Sequence, residues 1–170
     1  MFIYDVVENN KKKSKGLSLK KVESRCLFLD EIIDIKFMND THILLASNNE
    51  YIKLVCLADN SIEIYRGHTN ILLSIDVIQM PGTEANDRSK FLCLSAAKDN
   101  EIRMWFGDLE APFQQKLQCL STFQGHTESI QNVCFAPRKV KFFVSCSADN
   151  TIKVWNVNHE HKEQSKITSA

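Results

Sequence analysis

No charge of either sign dominates this chain: 21 lysines and arginines balance 21 aspartates and glutamates over 170 residues. A balanced chain has no overall field to draw it to nucleic acid. None of its six cysteines forms a C-x-x-C pair, and no Cys/His cluster has zinc-ligand spacing, so no metal is expected. No apolar run reaches the length of a membrane span. Met1 to Val7 already contains Asp5, so a secretion signal is not expected there. No amphipathic helical stretch of useful length separates the apolar runs, which argues against a parallel α/β sheet. No cofactor, membrane or small-molecule substrate is expected.

What is present is ordinary globular composition, 44% apolar and 25% charged, in a chain long enough for one domain with a core. Most cysteines sit in apolar runs such as Phe91-Leu92-Cys93-Leu94 and Val133-Cys134-Phe135. Free cysteine behaves there as a small buried hydrophobe, which suits a reducing compartment. One charge run stands out: Lys11, Lys12, Lys13 and Lys15, followed by Lys20 and Lys21. A solvated loop accounts for it; a weak contact to RNA phosphate or to a partner is the sharper alternative.

The chain repeats itself at a spacing of 50. Ile52, Ile102 and Ile152 align, as do Lys53, Arg103 and Lys153, then Val55, Trp105 and Trp155, and Asn49, Asp99 and Asp149. Two of the repeats share a fuller pattern. Gly67-His68-Thr69 leads to Ser95, Asp99 and Trp105, and Gly125-His126-Thr127 leads to Ser145, Asp149 and Trp155. The first repeat has Leu29-Asp30, Leu45, Asn49 and Val55 at those places, so apolar packing alone is expected to hold it.

Runs rich in β-branched and aromatic residues, bounded by turn residues, predict four strands per repeat. In the first repeat they are Glu31–Phe37, Thr41–Ser47, Tyr51–Leu57 and Ser61–Arg66; in the second Ile71–Gln79, Lys90–Ala97, Glu101–Gly107 and Leu117–Phe123. The third shows three, Ser129–Phe135, Lys141–Ser147 and Thr151–Val157. Phe2 to Val6 resembles a third strand of an earlier unit, with Glu23–Leu29 as its fourth. The expected organisation is a remnant with a basic loop at 1–23, a degenerate repeat at 24–66, full repeats at 67–124 and 125–157 (the latter without a last strand), and a polar tail at 158–170. The edge at Thr151–Val157 is expected to be open and to favour self-association.

The polar residues of the two fuller repeats predict a brace. Indole offers only a donor and carboxylate only acceptors, while hydroxyl and imidazole bridge them. The expected order is Trp to Ser to His to Asp, as Trp105–Ser95–His68–Asp99 and Trp155–Ser145–His126–Asp149. A hydrolase would need one exposed serine beside an oxyanion hole. Here the set occurs twice, each time with a tryptophan, so a structural role is expected and no catalytic residue. A solvated strand face accounts for Arg103 and Lys153; a basic rim is the sharper alternative. Core packing is the default for Phe106, Phe113, Phe123, Phe142 and Phe143; contacts on a rim or between blades are the alternative for the first three, and one of Phe142 and Phe143 is expected on each face.

By the Gly-His, Ser-x-x-x-Asp and Trp matches, residues 67–157 are identified as WD40 repeats. The implied fold is all-β, a partial WD40 β-propeller of about three four-stranded antiparallel blades with incomplete ends. Since a propeller closes with about 4–8 blades, a piece of a longer propeller is expected. More narrowly, Asp30-Glu31-Ile32-Ile33-Asp34-Ile35-Lys36-Phe37, the degenerate repeat with Ser47-Asn48, the run Arg66 to Val77, and Ala97-Lys98-Asp99 before Ile102-Arg103-Met104-Trp105 resemble the transducin-beta-like WD40 subunits of the small-subunit processome. That resemblance covers roughly 24–157. It implies a non-catalytic scaffold in the nucleolus that supports pre-ribosomal RNA processing beside other WD40 subunits of the U3 particle, with indirect association to U3 RNA. An adaptor in a ubiquitin ligase or signalling assembly is the alternative.

Overall fold

The computed structural model describes residues 2–9, 16–24, 30–80, 89–137 and 141–157. These hold thirteen strands and no helix. The chain divides into two units, Met1–Glu31 and Ile32–Ala170.

The first unit contains a hairpin of β1 (Phe2–Asn9) and β2 (Gly16–Ser24), antiparallel from Phe2↔Ser24 to Asn9↔Gly16. The partner strand of β1 is thus Gly16–Ser24, and most of the expected strand at Glu23–Leu29 lies outside the described residues. The return begins at Gly16, where Leu17-Ser18-Leu19 alternates at the two-residue period of a strand. Lys20 and Lys21 lie within β2. Lys11, Lys12, Lys13 and Lys15 lie outside the described residues.

The second unit stacks three antiparallel sheets. Sheet 1 is β3 (Ile32–Phe37), β4 (His42–Ser47), β5 (Tyr51–Cys56) and β6 (Ile62–Arg66), in that order. Sheet 2 is β7 (Leu72–Gln79), β8 (Lys90–Ala97), β9 (Glu101–Asp108) and β10 (Leu117–Gln124). Sheet 3 is β11 (Ile130–Phe135), β12 (Phe142–Ser147) and β13 (Ile152–Asn156). Each strand pairs with its sequence neighbour, as short hairpin turns dictate. Asn100 and Asn150 take the left-handed conformation (φ 65° and 64°) in the turns before β9 and β13, a geometry that asparagine tolerates.

Side chains alternate across each strand, so each sheet has two working faces. The face of sheet 1 bearing Leu44, Ala46, Ile52 and Leu54 packs on Leu72, Ile75, Phe91 and Trp105 of sheet 2. The opposite face of sheet 2, with Leu94, Ala96, Ile102 and Met104, packs on Ile130, Val133, Phe143 and Trp155 of sheet 3. Burying each such side chain contributes about 1.5–3 kcal/mol, so the two inter-sheet cores carry most of the driving force.

Polar groups stitch the same junctions. The Ile75 amide donates to Asp34 Oδ2 at 2.9 Å, and the Phe135 amide donates to Asp76 Oδ2 at 2.7 Å. Lys36 Nζ lies 3.6 Å from the other Asp76 oxygen. The first strands of the three sheets are thus tied in series, each carboxylate accepting from the sheet that follows.

Sheet 1 does not rest on apolar packing alone, contrary to expectation. Glu63 on β6 is buried. It accepts from the Tyr65 hydroxyl at 2.6 Å, pairs with Lys116 Nζ at 2.9 Å and accepts from the Gln114 amide of the loop before β10. Burial alone would raise the Glu63 carboxyl; the Tyr65, Lys116 and Gln114 donors outweigh it and hold the pKa below the ordinary value. Sheet 1 is therefore latched to sheet 2 by a buried ion pair.

Candidate functional site

In sheet 2, Gly67 and His68 lie in the link from β6, Ser95 on β8, Asp99 in the β8–β9 turn and Trp105 on β9. Trp105 Nε1–H donates to Ser95 Oγ at 2.8 Å. Ser95 Oγ lies 2.7 Å from His68 Nε2, and His68 Nδ1 lies 2.8 Å from Asp99 Oδ2. With the ring proton on Nδ1, serine donates to Nε2 and the ring donates to the carboxylate, so every group has a partner of the right kind. The Thr69 and Glu101 amides also donate to Asp99, at 3.0 and 3.1 Å. A Cβ on Gly67 would stand 2.8 Å from the edge of the Trp105 ring, so only glycine lets the indole lie this close under the link.

Sheet 3 repeats the geometry almost atom for atom. Trp155 Nε1–H donates to Ser145 Oγ at 2.8 Å, Ser145 Oγ lies 2.8 Å from His126 Nε2, and His126 Nδ1 lies 2.7 Å from Asp149 Oδ2. The Thr127 and Thr151 amides donate to Asp149 at 3.1 and 2.9 Å, and the Thr151 hydroxyl at 2.6 Å. Trp155 stacks on Phe143 with centroids 5.8 Å apart and meets Phe123 of sheet 2 edge-on. Burial would raise both aspartates. Hydrogen bonds from His68 and the Thr69 amide hold Asp99 below the ordinary carboxylate range, and those from Thr151, His126 and the Thr127 amide hold Asp149 below it.

Chemically, both serine hydroxyls are buried and engaged on two sides, by an indole donor and an imidazole nitrogen. A substrate carbonyl has no path to either oxygen while the sheets stay packed. The arrangement can brace a link, two strands and a turn against one another. Among the described residues, no group of three or more His, Cys, Asp or Glu side chains is placed to hold a metal ion.

The other candidates separate. Arg103 pairs with Glu101 at 2.9 Å, so no free basic rim forms there; a charge two residues away on the same face of a strand was the overlooked signal. Phe143 is buried between sheets while Phe142 faces out. Phe106 and Phe123 pack into the second core, and Phe113 is exposed. In the degenerate repeat, Leu45 and Val55 are buried, and Asn49 Oδ1 accepts from the Tyr51 amide at 3.0 Å, taking the turn-capping part of the missing aspartate's role. The latch of Glu63, Tyr65 and Lys116 was not foreseen. Its trace in the sequence is Ile62-Glu63-Ile64-Tyr65, where a charge occupies the face that Leu54 and Ile52 make apolar.

Residues 117–156 match the family described as WD domain, G-beta repeat. The chain has a WD40 repeat domain. The matched segment runs from β10 to β13, so the sequence repeat takes its first strand from sheet 2 and its other three from sheet 3. Transducin beta-like protein 3 of Rattus norvegicus is 33% identical over 130 residues, 75% of this chain and 15% of that protein. Its Homo sapiens counterpart is 32% identical over the same length. The Denticleless protein homolog of Homo sapiens is 26% identical over 150 residues, 88% of this chain and 18% of that protein. The aligned part thus spans less than a fifth of each of these relatives. Among solved structures, one titled "Structure of U3-55K" superposes with a TM-score of 0.58 at 21% identity, covering 76% of this chain and 37% of that one. That likeness is one of fold: a partial, unclosed WD40 propeller.

Proposed function

We propose that this WD40 domain is a non-catalytic protein-interaction scaffold in ribosome biogenesis, acting in small-subunit processome assembly and pre-ribosomal RNA processing in the nucleolus. The observation that carries the reading is the 33% identity with transducin beta-like protein 3 over three quarters of the chain. Paired braces inside rigid sheets support it, because such a frame presents loops and leaves its polar groups fully occupied. Within this reading, residues 24–66, 67–124 and 125–157 are three successive blades, the partners are other WD40 subunits of a pre-ribosomal particle, and U3 RNA is associated through them. The run Lys11 to Lys15 is a secondary candidate for RNA or partner contact.

The test is localisation of the tagged protein with RNA recovery. Nucleolar signal with enrichment of U3 RNA is expected. Exclusion from the nucleolus with no U3 enrichment overturns the reading. The likeness to the Denticleless protein homolog supports a second reading, an adaptor in another assembly; co-purification of a cullin in place of U3 RNA would establish it.

A further inference from the structure

The loop between β9 and β10, residues 109–116, is tied down along its length yet carries a bare aromatic ring. The Leu109 amide donates to the Ser89 carbonyl at 3.0 Å, the Ala111 amide to that of Asp108 at 3.2 Å and the Gln115 amide to that of Pro112 at 2.9 Å. The Gln114 amide and Lys116 Nζ both reach the buried Glu63 of sheet 1. Gln114 takes the left-handed conformation, with φ 63°. A glutamine keeps that conformation only where its surroundings impose it, and such outliers gather at ligand clamps. Between these fixed points stand Pro112 and Phe113, both exposed, Phe113 by 61%. Sheet 2 is covered on both faces, by sheet 1 and by sheet 3. The ring is therefore bare at the middle of the stack and not at either end.

We infer that the Pro112-Phe113 tip is a docking element that inserts the Phe113 ring into an apolar, basic-rimmed pocket of a partner protein. A single exposed ring is ordinary on a protein surface; the bonds beneath this one set it apart. Aromatic anchors dominate binding when they enter a desolvated pocket, and a loop already fixed in shape loses little freedom on docking. The Glu63–Lys116 pair fits that role. A buried ion pair adds little net stability over apolar packing, but here it fixes where the loop lies. Charge selects the rim of the pocket. Lys116 is taken by Glu63, and Lys90 stands across from Asp108 in the ladder. Two exposed carboxylates remain that form no ion pair among the described residues: Glu110, two residues before Pro112, and Asp59, in the turn leading into the strand that receives the loop. A surface that closes over Phe113 meets this surplus of negative charge, so lysine or arginine around the pocket complements it.

Site-specific photo-crosslinking in cells tests this, with p-benzoylphenylalanine in place of Phe113 in the full chain and the adduct mapped by mass spectrometry. The expected result is an adduct to a protein, at an apolar pocket with lysine or arginine on its rim. The same group at Gln118, exposed on β10, must not give that adduct. With the crosslinked protein purified, Phe113→Ala must weaken binding by about tenfold or more and leave the thermal midpoint unchanged. Glu110→Lys must weaken binding and flatten its salt dependence. In the unmodified chain, radical footprinting of Phe113 must fall as that protein is added, which tests the ring without a variant. No adduct at 113, an adduct to RNA or to a polar or acidic surface, the same adduct from position 118, binding indifferent to Phe113→Ala, a lowered midpoint in that variant, or unchanged footprinting overturns the inference. A protein partner is taken from the scaffold reading, and the tip is not. Exclusion from the nucleolus with the expected adduct changes only the assembly; nucleolar signal without the adduct removes only the docking element.

Discussion

Replacing Trp155 by alanine removes an indole that stacks on Phe143, meets Phe123 and His126 edge-on and donates to Ser145. A buried tryptophan truncated to alanine costs about 3–5 kcal/mol. The matching change in the degenerate sheet, Val55→Ala, removes two methyl groups from a fully buried site. At about 0.8 kcal/mol per methyl, with a small cavity term, that costs about 2 kcal/mol. For a domain of this size each kilocalorie moves the midpoint by about 2–4 °C. The expected losses are therefore on the order of 10 °C for Trp155→Ala and 5 °C for Val55→Ala, read by calorimetry on the same preparation. Trp155→Phe separates the two contributions of the indole. It keeps most of the ring and deletes the donor, so it should cost about 1–2 kcal/mol. Equal losses for Trp155→Ala and Val55→Ala, or no loss for Trp155→Phe, would refute the idea that the braced sheets draw stability from their polar chain as well as from packing.

Further outcomes follow from the same geometry. Lys116→Met leaves the Glu63 carboxylate buried without its counter-ion and should cost roughly 3 kcal/mol by urea unfolding. Adding Glu63→Gln to that variant should recover most of the loss. Because Asp99, Asp149 and Glu63 have depressed folded-state pKa values, their stabilisation is fully present above the ordinary carboxylate range and is lost as pH falls through and below it. Urea midpoints should thus fall steeply below about pH 4, and Asp99→Asn should flatten that acid limb. Gly107→Ala should destabilise by overpacking, about 1–3 kcal/mol, because its Cβ would overlap the Phe91 ring; unchanged thermal stability would contradict the packing described.

The strands of the three sheets were legible because the signals agreed. Alternation, turn residues and the spacing of 50 all point to the same hairpins, and every observed strand from β3 to β13 lies within one residue of its expected bounds at either end. The brace was legible for the same reason: donor and acceptor inventories of tryptophan, serine, histidine and aspartate fit only one order. What failed lay in single charges. Glu63 and Lys116 are 53 residues apart in sequence and meet only because the β9–β10 loop crosses onto sheet 1, which no local pattern reports. The alternative of a basic rim at Arg103 falls away once Glu101 is seen on the same face of β9. The β2 strand at Gly16–Ser24 was not foreseen because lysines that mark a loop by composition also sit in an alternating run.

Hydrogen exchange at the two indole nitrogens reaches the central claim directly. If Trp105 and Trp155 donate to buried serines as braces, both indole protons should exchange only on the opening of the sheets that hold them, tracking the most protected amides of β8 and β12. Ser95→Ala and Ser145→Ala should each release the adjacent proton selectively. Indole exchange at the rate of a free tryptophan in the intact, folded protein would contradict the account.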